Sequence, residues 1–163
     1  MVFILAITML SCINDDFPVE NGPLLVIGNK IPNFSIEMND GNIITGENLR
    51  KCKSVIVFFH TSCPDCQQTL PIIQRLYDKY KNQEIVFTLI SREEEEASIA
   101  SFWKSKELNM PYSPQTTRKV YELFAQSGIP LVLISNTNGV ITSIFTDTPN
   151  PTYEELKLAL DRL

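Results

Sequence analysis

The sequence predicts a mixed α/β domain, and three observations carry that prediction. A near-continuous apolar run from Ser54 to Phe59 has strand length, and apolar residues at close to helical spacing follow it from Cys63 to Tyr80. A second buried strand, Glu84 to Ile90, comes next and completes a strand–helix–strand unit with strands covered on both faces. Between Leu131–Ile134 and Val140–Phe145 stands Asn136-Thr137-Asn138-Gly139, the strongest hairpin signal in the chain.

Composition sets the outer bounds. The chain has 163 residues, 44% apolar and 20% charged, which suits one globular domain and excludes collagen, coiled coil and wholesale disorder. A net charge of −5 without a Lys/Arg cluster argues against a nucleic-acid partner. Four cysteines, Cys12, Cys52, Cys63 and Cys66, are too few for a disulfide scaffold of this size.

In chain order, Met1 to Leu10 is apolar except for Thr8 and runs into Ser11-Cys12. Ten residues make about 15 Å of helix, half of a roughly 30 Å hydrocarbon core, so the run fits a signal h-region better than a span. Ser11 before Cys12 resembles a bacterial lipobox, which makes residues 1–12 a lipoprotein-type signal and Cys12 the lipidated residue. The absence of a basic n-region and Met9 in place of the usual Leu depart from that pattern. The competing reading is an apolar segment packed on the domain. A polar, unpatterned stretch follows, as expected of a linker over 13–27. The domain proper is expected over 28–163. The acidic pair Asp15-Asp16 is similar to surface-export signals on some Gram-negative lipoproteins.

Phe34 to Met38 alternates with period two, and Asn39-Asp40-Gly41-Asn42 then turns the chain into Ile43-Ile44, a first hairpin. Beyond Ile90, Ser91-Arg92-Glu93-Glu94 reads as a capping box that opens a helix, with Lys104 and Lys106 near its end. On that reading Glu93 to Glu96 is a solvated, dipole-matched helix start, and Trp103 is a packing residue. Thr116 to Ala125 is expected as a short helix. Thr152 and Glu155, after Pro151, form a second capping box that opens a terminal helix to Leu163.

The chemistry centres on Cys63-Pro64-Asp65-Cys66, where a buried strand gives way to a helix. Two cysteines at this spacing can close a disulfide within one turn. The first thiol faces unpaired N–H groups and the positive end of the helix dipole, which favour the thiolate that attacks disulfides. Pro64 suits the first turn, where its missing N–H costs nothing. The alternatives are half of a zinc site or two inert thiols. Zinc would need two more ligands, and only Cys52 and His60 remain, so no metal is expected. His60, the only histidine, is either a proton or thiolate partner of the pair or an incidental strand-end residue. Cys52, between Lys51 and Lys53, reads as a lone solvent-side cysteine. Ser127-Gly128-Ile129-Pro130 leads into the strand at Leu131, and a proline entering a strand marks an edge or a special bond.

With these residues in place the sequence resembles the thioredoxin fold, and within it the TlpA/ResA-like thiol–disulfide oxidoreductases of the bacterial cell envelope. The resemblance runs from about Gly28 to Leu163. It rests on Ile31-Pro32-Asn33-Phe34-Ser35-Ile36 with Asn39-Asp40-Gly41, the CxxC, Pro71, the inserted strand and helix of Glu84 to Leu108, and Gly128-Ile129-Pro130. It implies a three-layer thioredoxin-like fold with an N-terminal β-hairpin and an inserted βα element. It also implies Cys63 as exposed nucleophile, Cys66 as buried resolving thiol, and a cis Ile129–Pro130 peptide. The Ile129 backbone would pair with an extended substrate segment. The reaction implied is disulfide exchange with protein or peptide clients, with no cofactor beyond the Cys63–Cys66 disulfide, an envelope thiol protein as electron donor or acceptor, and a lipid-anchored location.

This chain departs from the family at Ser62, where Trp is usual, at Thr69, where many members carry Glu, and at Val57, where thioredoxins have a buried Asp. Without those carboxylates Cys66 must lose its proton to water or another group, with Asp65 nearest in sequence. The Asp65 charge opposes the helix dipole at Cys63, which leans the chain towards a reductant. Three other readings of the fold compete. A peroxiredoxin wants Thr and Pro where His60 and Ile56 stand, and a copper chaperone wants CxxxC with a distal His. A non-catalytic binding module has no need of the CxxC with its Gly128-Ile129-Pro130 loop.

Overall fold

The computed structural model describes residues 23–163. The expected signal segment 1–12 with Cys12, and most of the expected linker, lie outside the described residues. Pro23 to Leu25 already touch the domain: Pro23 bridges Ala125, and Leu24 N–H donates to the Phe124 carbonyl at 2.8 Å.

Two strands, β1 (Ser35–Glu37) and β2 (Ile43–Thr45), pair antiparallel as the first hairpin. The Thr45 side chain caps a four-residue helix, α1 (Gly46–Leu49), by accepting from Asn48 N–H. The central strand, β3 (Lys53–Phe59), leads into α2 (Pro64–Tyr80), and β4 (Ile85–Ser91) follows parallel to β3. Helix α3 (Glu96–Ser105) connects to a two-residue strand, β5 (Tyr112–Ser113), parallel to β4. Strands β6 (Leu131–Ser135) and β7 (Ile141–Phe145) form the second hairpin, and α4 (Tyr153–Asp161) closes the chain. The main sheet has the order β5-β4-β3-β6-β7, with β6 antiparallel to both of its neighbours.

The continuous apolar run of β3 has its reason in this order. Strand β3 is the middle of five, and Val55 to Phe59 are at most 2% exposed. Helix α2 buries Leu70, Ile73, Leu76 and Tyr80 on one face and leaves the other to solvent. Phe58 packs edge-on against Tyr121 and tilted on Phe124, while Phe59 and Tyr112 lie against Trp103. Trp103 is buried and donates from Nε1 to the Met110 carbonyl at 2.9 Å, the packing role expected of it. At the β6–β7 turn Gly139 has φ +68°, and a Cβ there would lie 2.6 Å from Arg50 Cα, so glycine is required twice over.

Two expected helix boundaries are corrected. The helix after β4 starts at Glu96 with Glu95 as its N-cap and no side-chain cap bond. Ser91 remains in β4, and its hydroxyl accepts from Gln115 N–H at 2.7 Å, so the apparent capping box never forms. In place of a helix over Thr116 to Ala125 there is one 3₁₀ turn, Tyr121–Leu123, within bends. The Thr152–Glu155 box does form, with both reciprocal bonds present.

Candidate active site

Strand β3 ends at Phe59, and His60-Thr61-Ser62 then turn the chain, with Cys63 N–H donating to the His60 carbonyl at 3.1 Å. Cys63 is the N-cap of α2, with extended backbone (φ −79°, ψ 120°) and no side-chain cap bond. Its sulfur is therefore free to react beside the open N–H groups of the first turn. Pro64 occupies the first helical position and is solvent-exposed. Cys66, one turn on, is completely buried, and both cysteines are free thiols here.

Burial pushes the Cys66 thiol far above its ordinary range. The neighbouring Cys63 thiol adds to the rise, while a main-chain hydrogen bond from His60 and the charge of Arg92 oppose it. The half-buried Cys63 lies across from the loop entering β6, with Sγ 3.5 Å from the Ile129 carbonyl oxygen. That loop carries Gly128 at φ +89° and a cis Ile129–Pro130 peptide, and the Tyr121 hydroxyl donates to the Gly128 carbonyl at 2.8 Å. Register explains the meeting, because Phe58 pairs with Leu131, so the residues just after β3 and just before β6 share one end of the sheet.

The remaining sequence candidates divide. Asp65 is half-buried and accepts from Asn150 Nδ2 at 2.7 Å, so one carboxylate oxygen is engaged with the segment before α4. His60 is half-buried, with Nδ1 3.0 Å from the Ser62 hydroxyl and 3.2 Å from Ser62 N. Cys52 stands apart, at the entry to β3, where its thiol donates weakly to the Asn48 and Leu49 carbonyls. Val57 and Thr69 are fully buried, and the Thr69 hydroxyl has no partner. Among the described residues no three His, Cys, Asp or Glu side chains stand close enough to hold a metal ion.

One residue that sequence reasoning set aside enters the site. Glu94, read as part of a solvated acidic run, is 8% exposed and turns inward. Its carboxylate accepts from Thr61 N–H at 2.9 Å and from the Thr61 hydroxyl, and Oε2 lies 3.7 Å from His60 Nδ1. Glu93, Glu95 and Glu96 on either side are exposed. Nothing in the run distinguishes Glu94 from its neighbours. Only the four-residue delay of the helix start, from Arg92 to Glu96, which turns the loop back to Gln115 through Glu94 N–H at 2.7 Å, selects it.

An α/β sheet whose central strand delivers a CxxC to a helix N-terminus, beside a proline loop at the same sheet end, defines a thioredoxin-fold thiol–disulfide oxidoreductase. The chain belongs to the AhpC/TSA family, which it matches over residues 27–144. It is similar to the thiol-disulfide oxidoreductase ResA of Bacillus subtilis, at 26% identity over 121 residues, 74% of this chain and 68% of that protein. In structure it is similar to a Bacteroides thetaiotaomicron protein solved in solution, with a TM-score of 0.78 at 23% identity over 87% of this chain and 91% of that one. A secreted Mycobacterium tuberculosis disulfide oxidoreductase gives a TM-score of 0.67 at 17% identity, over 80% of this chain and 96% of that one.

Proposed function

We propose that this chain reduces disulfides in protein or peptide clients of the bacterial cell envelope through the Cys63–Cys66 dithiol. The observation that carries the reading is the asymmetry of the pair. Cys63 is half-exposed at the start of α2 against the Ile129 carbonyl, and Cys66 is sealed beneath it. The Cys63 thiolate attacks a client disulfide, forming a mixed disulfide and releasing one client thiolate, which takes up a proton. Cys66 loses its proton and attacks the Cys63 sulfur, so the second client thiol leaves and the chain holds the Cys63–Cys66 disulfide. An extended client segment pairs with the Ile129 backbone next to Pro130, which aligns its disulfide with Cys63.

Electrons pass through the two cysteines alone, without a bound cofactor, and an envelope thiol protein restores the dithiol. Asp65 in the first turn supports the reductant direction, since a negative charge there disfavours the thiolate that would make the pair oxidising. The envelope location rests on the lipobox-like Ser11-Cys12 and on the secreted state of the Mycobacterium relative. Cys12 is the proposed membrane anchor, tested by fatty-acid labelling of wild type and Cys12→Ala; equal labelling refutes it.

Activity is tested by dithiothreitol-driven reduction of insulin with the full chain and a Cys63→Ser control. Catalysis by wild type alone is expected, and equal rates in both would refute the proposal.

A further inference from the structure

The turn that presents Cys63 is held by side chains from two other elements. Thr61 is the hub. Its N–H donates to Glu94 Oε2 at 2.9 Å, its hydroxyl donates to Glu94 Oε1, and its carbonyl accepts from Gln67 Nε2 at 2.8 Å. Gln67 belongs to α2, and Glu94 to the loop between β4 and α3. Glu94 is itself fixed from behind by its N–H bond to Gln115, and Arg92 N–H donates to the Phe59 carbonyl at 2.8 Å, which ties the same loop to the end of β3.

A buried carboxylate is costly unless charge or hydrogen bonds compensate it. Among the described residues no Lys or Arg nitrogen lies within 4.0 Å of the Glu94 carboxylate; His60, at 3.7 Å, is its only basic neighbour. The compensation therefore comes mainly from Thr61, two residues before the reactive cysteine. An acid that served only the dipole of α3 would lie in solvent, as Glu93, Glu95 and Glu96 do.

We propose that Glu94 is a positioning residue for the dithiol: through Thr61 it fixes the turn before Cys63, so that the two sulfurs stay aligned for closure. The inference rests on the reading of Cys63 and Cys66 as the reacting pair. Closure of the pair is an intramolecular step, and its equilibrium depends on how well the partners are held in position. A loosened turn lowers the tendency of the disulfide to close and prolongs the mixed disulfide.

The test equilibrates full-length wild type, Glu94→Ala and Glu94→Gln with glutathione buffers. The balance measured is protein disulfide plus two glutathione thiols against protein dithiol plus glutathione disulfide, read from the mass of the Cys63–Cys66 peptide. Glu94→Ala is expected to shift the constant towards the dithiol by about tenfold and to accumulate the glutathione mixed disulfide. Glu94→Gln keeps an acceptor for Thr61 N–H and is expected within about threefold of wild type. An unchanged constant in Glu94→Ala, with only a lowered Tm, would assign Glu94 to stability alone and overturn the proposal. A Glu94→Gln shift as large as that of Glu94→Ala would also contradict it. If Glu94→Ala does not fold, Thr61→Val removes one bond and should shift the constant the same way by about threefold; no shift refutes the role. A wild type that never exchanges with glutathione refutes the reactive pair itself, a result distinct from a wild type that exchanges beside an unaltered Glu94→Ala.

Discussion

The Cys63 sulfur lies 3.5 Å from the Ile129 carbonyl oxygen, although 66 residues separate the two in the chain. The contact follows from sheet order. Because β3 and β6 are neighbours with Phe58 opposite Leu131, the helix that carries the thiol and the loop proposed to meet the client emerge side by side. Tyr121 holds the loop from below through its bond to the Gly128 carbonyl. Tyr121→Phe is therefore expected to cost about 1 kcal/mol of stability. The apparent KM for a peptide disulfide should rise more than kcat falls if, as proposed, the loop positions the client, since the sulfurs are untouched. Steady-state kinetics and a denaturant titration check both parts.

Burial of Cys66 gives a signed alkaline effect. Its folded pKa is raised above the ordinary 9.0, so the folded protein keeps a proton that the unfolded chain releases. The stability associated with this thiol is fully present below pH 9 and is lost as pH rises above it. Between pH 9 and 10 the reduced wild type should lose about 1 kcal/mol relative to Cys66→Ala, as one titrating group requires. Urea titrations of both proteins at the two pH values measure the difference, and a constant difference would contradict the account.

Asp65 places a negative charge in the first turn of α2, where the dipole otherwise favours the Cys63 thiolate. Asp65→Asn removes that charge while retaining a side-chain oxygen for Asn150. A helix-end charge is worth about 0.3–1 kcal/mol, so alkylation of Cys63 by iodoacetamide near pH 7 should accelerate about two- to fivefold. The rate is measured in a background without Cys12 and Cys52. A slower reaction would reverse the sign assigned to Asp65.

Thr88, in the middle of β4, is completely buried and its hydroxyl has no hydrogen-bond partner. Thr88→Val keeps the shape, removes the unsatisfied group and suits a strand. It should stabilise the protein by about 1 kcal/mol, or a few degrees in Tm. Calorimetry decides it, and a loss of stability would mean that the hydroxyl is satisfied in solution.

Much of this was legible in sequence, for physical reasons that also explain the misses. The strands β3, β4 and β6 are buried, near-continuous apolar runs, the Asn-Gly turn between β6 and β7 has one favoured geometry, and a CxxC between strand and helix carries its own chemistry. The start of α3 was misread because Ser91 and Glu94 satisfy a local box whose partners are taken by Gln115 and Thr61, both distant in sequence. The segment before β6 reads as a helix because Tyr121, Phe124 and Ala125 carry the i, i+3, i+4 spacing of one helical face, yet only the single 3₁₀ turn Tyr121–Leu123 forms around them. Glu94 joins the site through the same long-range competition, which periodicity cannot register.

The central claim is that Cys63 attacks and Cys66 resolves. It is tested most directly by incubating full-length Cys66→Ser and Cys63→Ser with a peptide disulfide and weighing the adducts. A stable mixed disulfide on Cys63 in Cys66→Ser, with none in Cys63→Ser, is the expected result. Equal trapping by Cys63→Ser, or an adduct on neither, would contradict it.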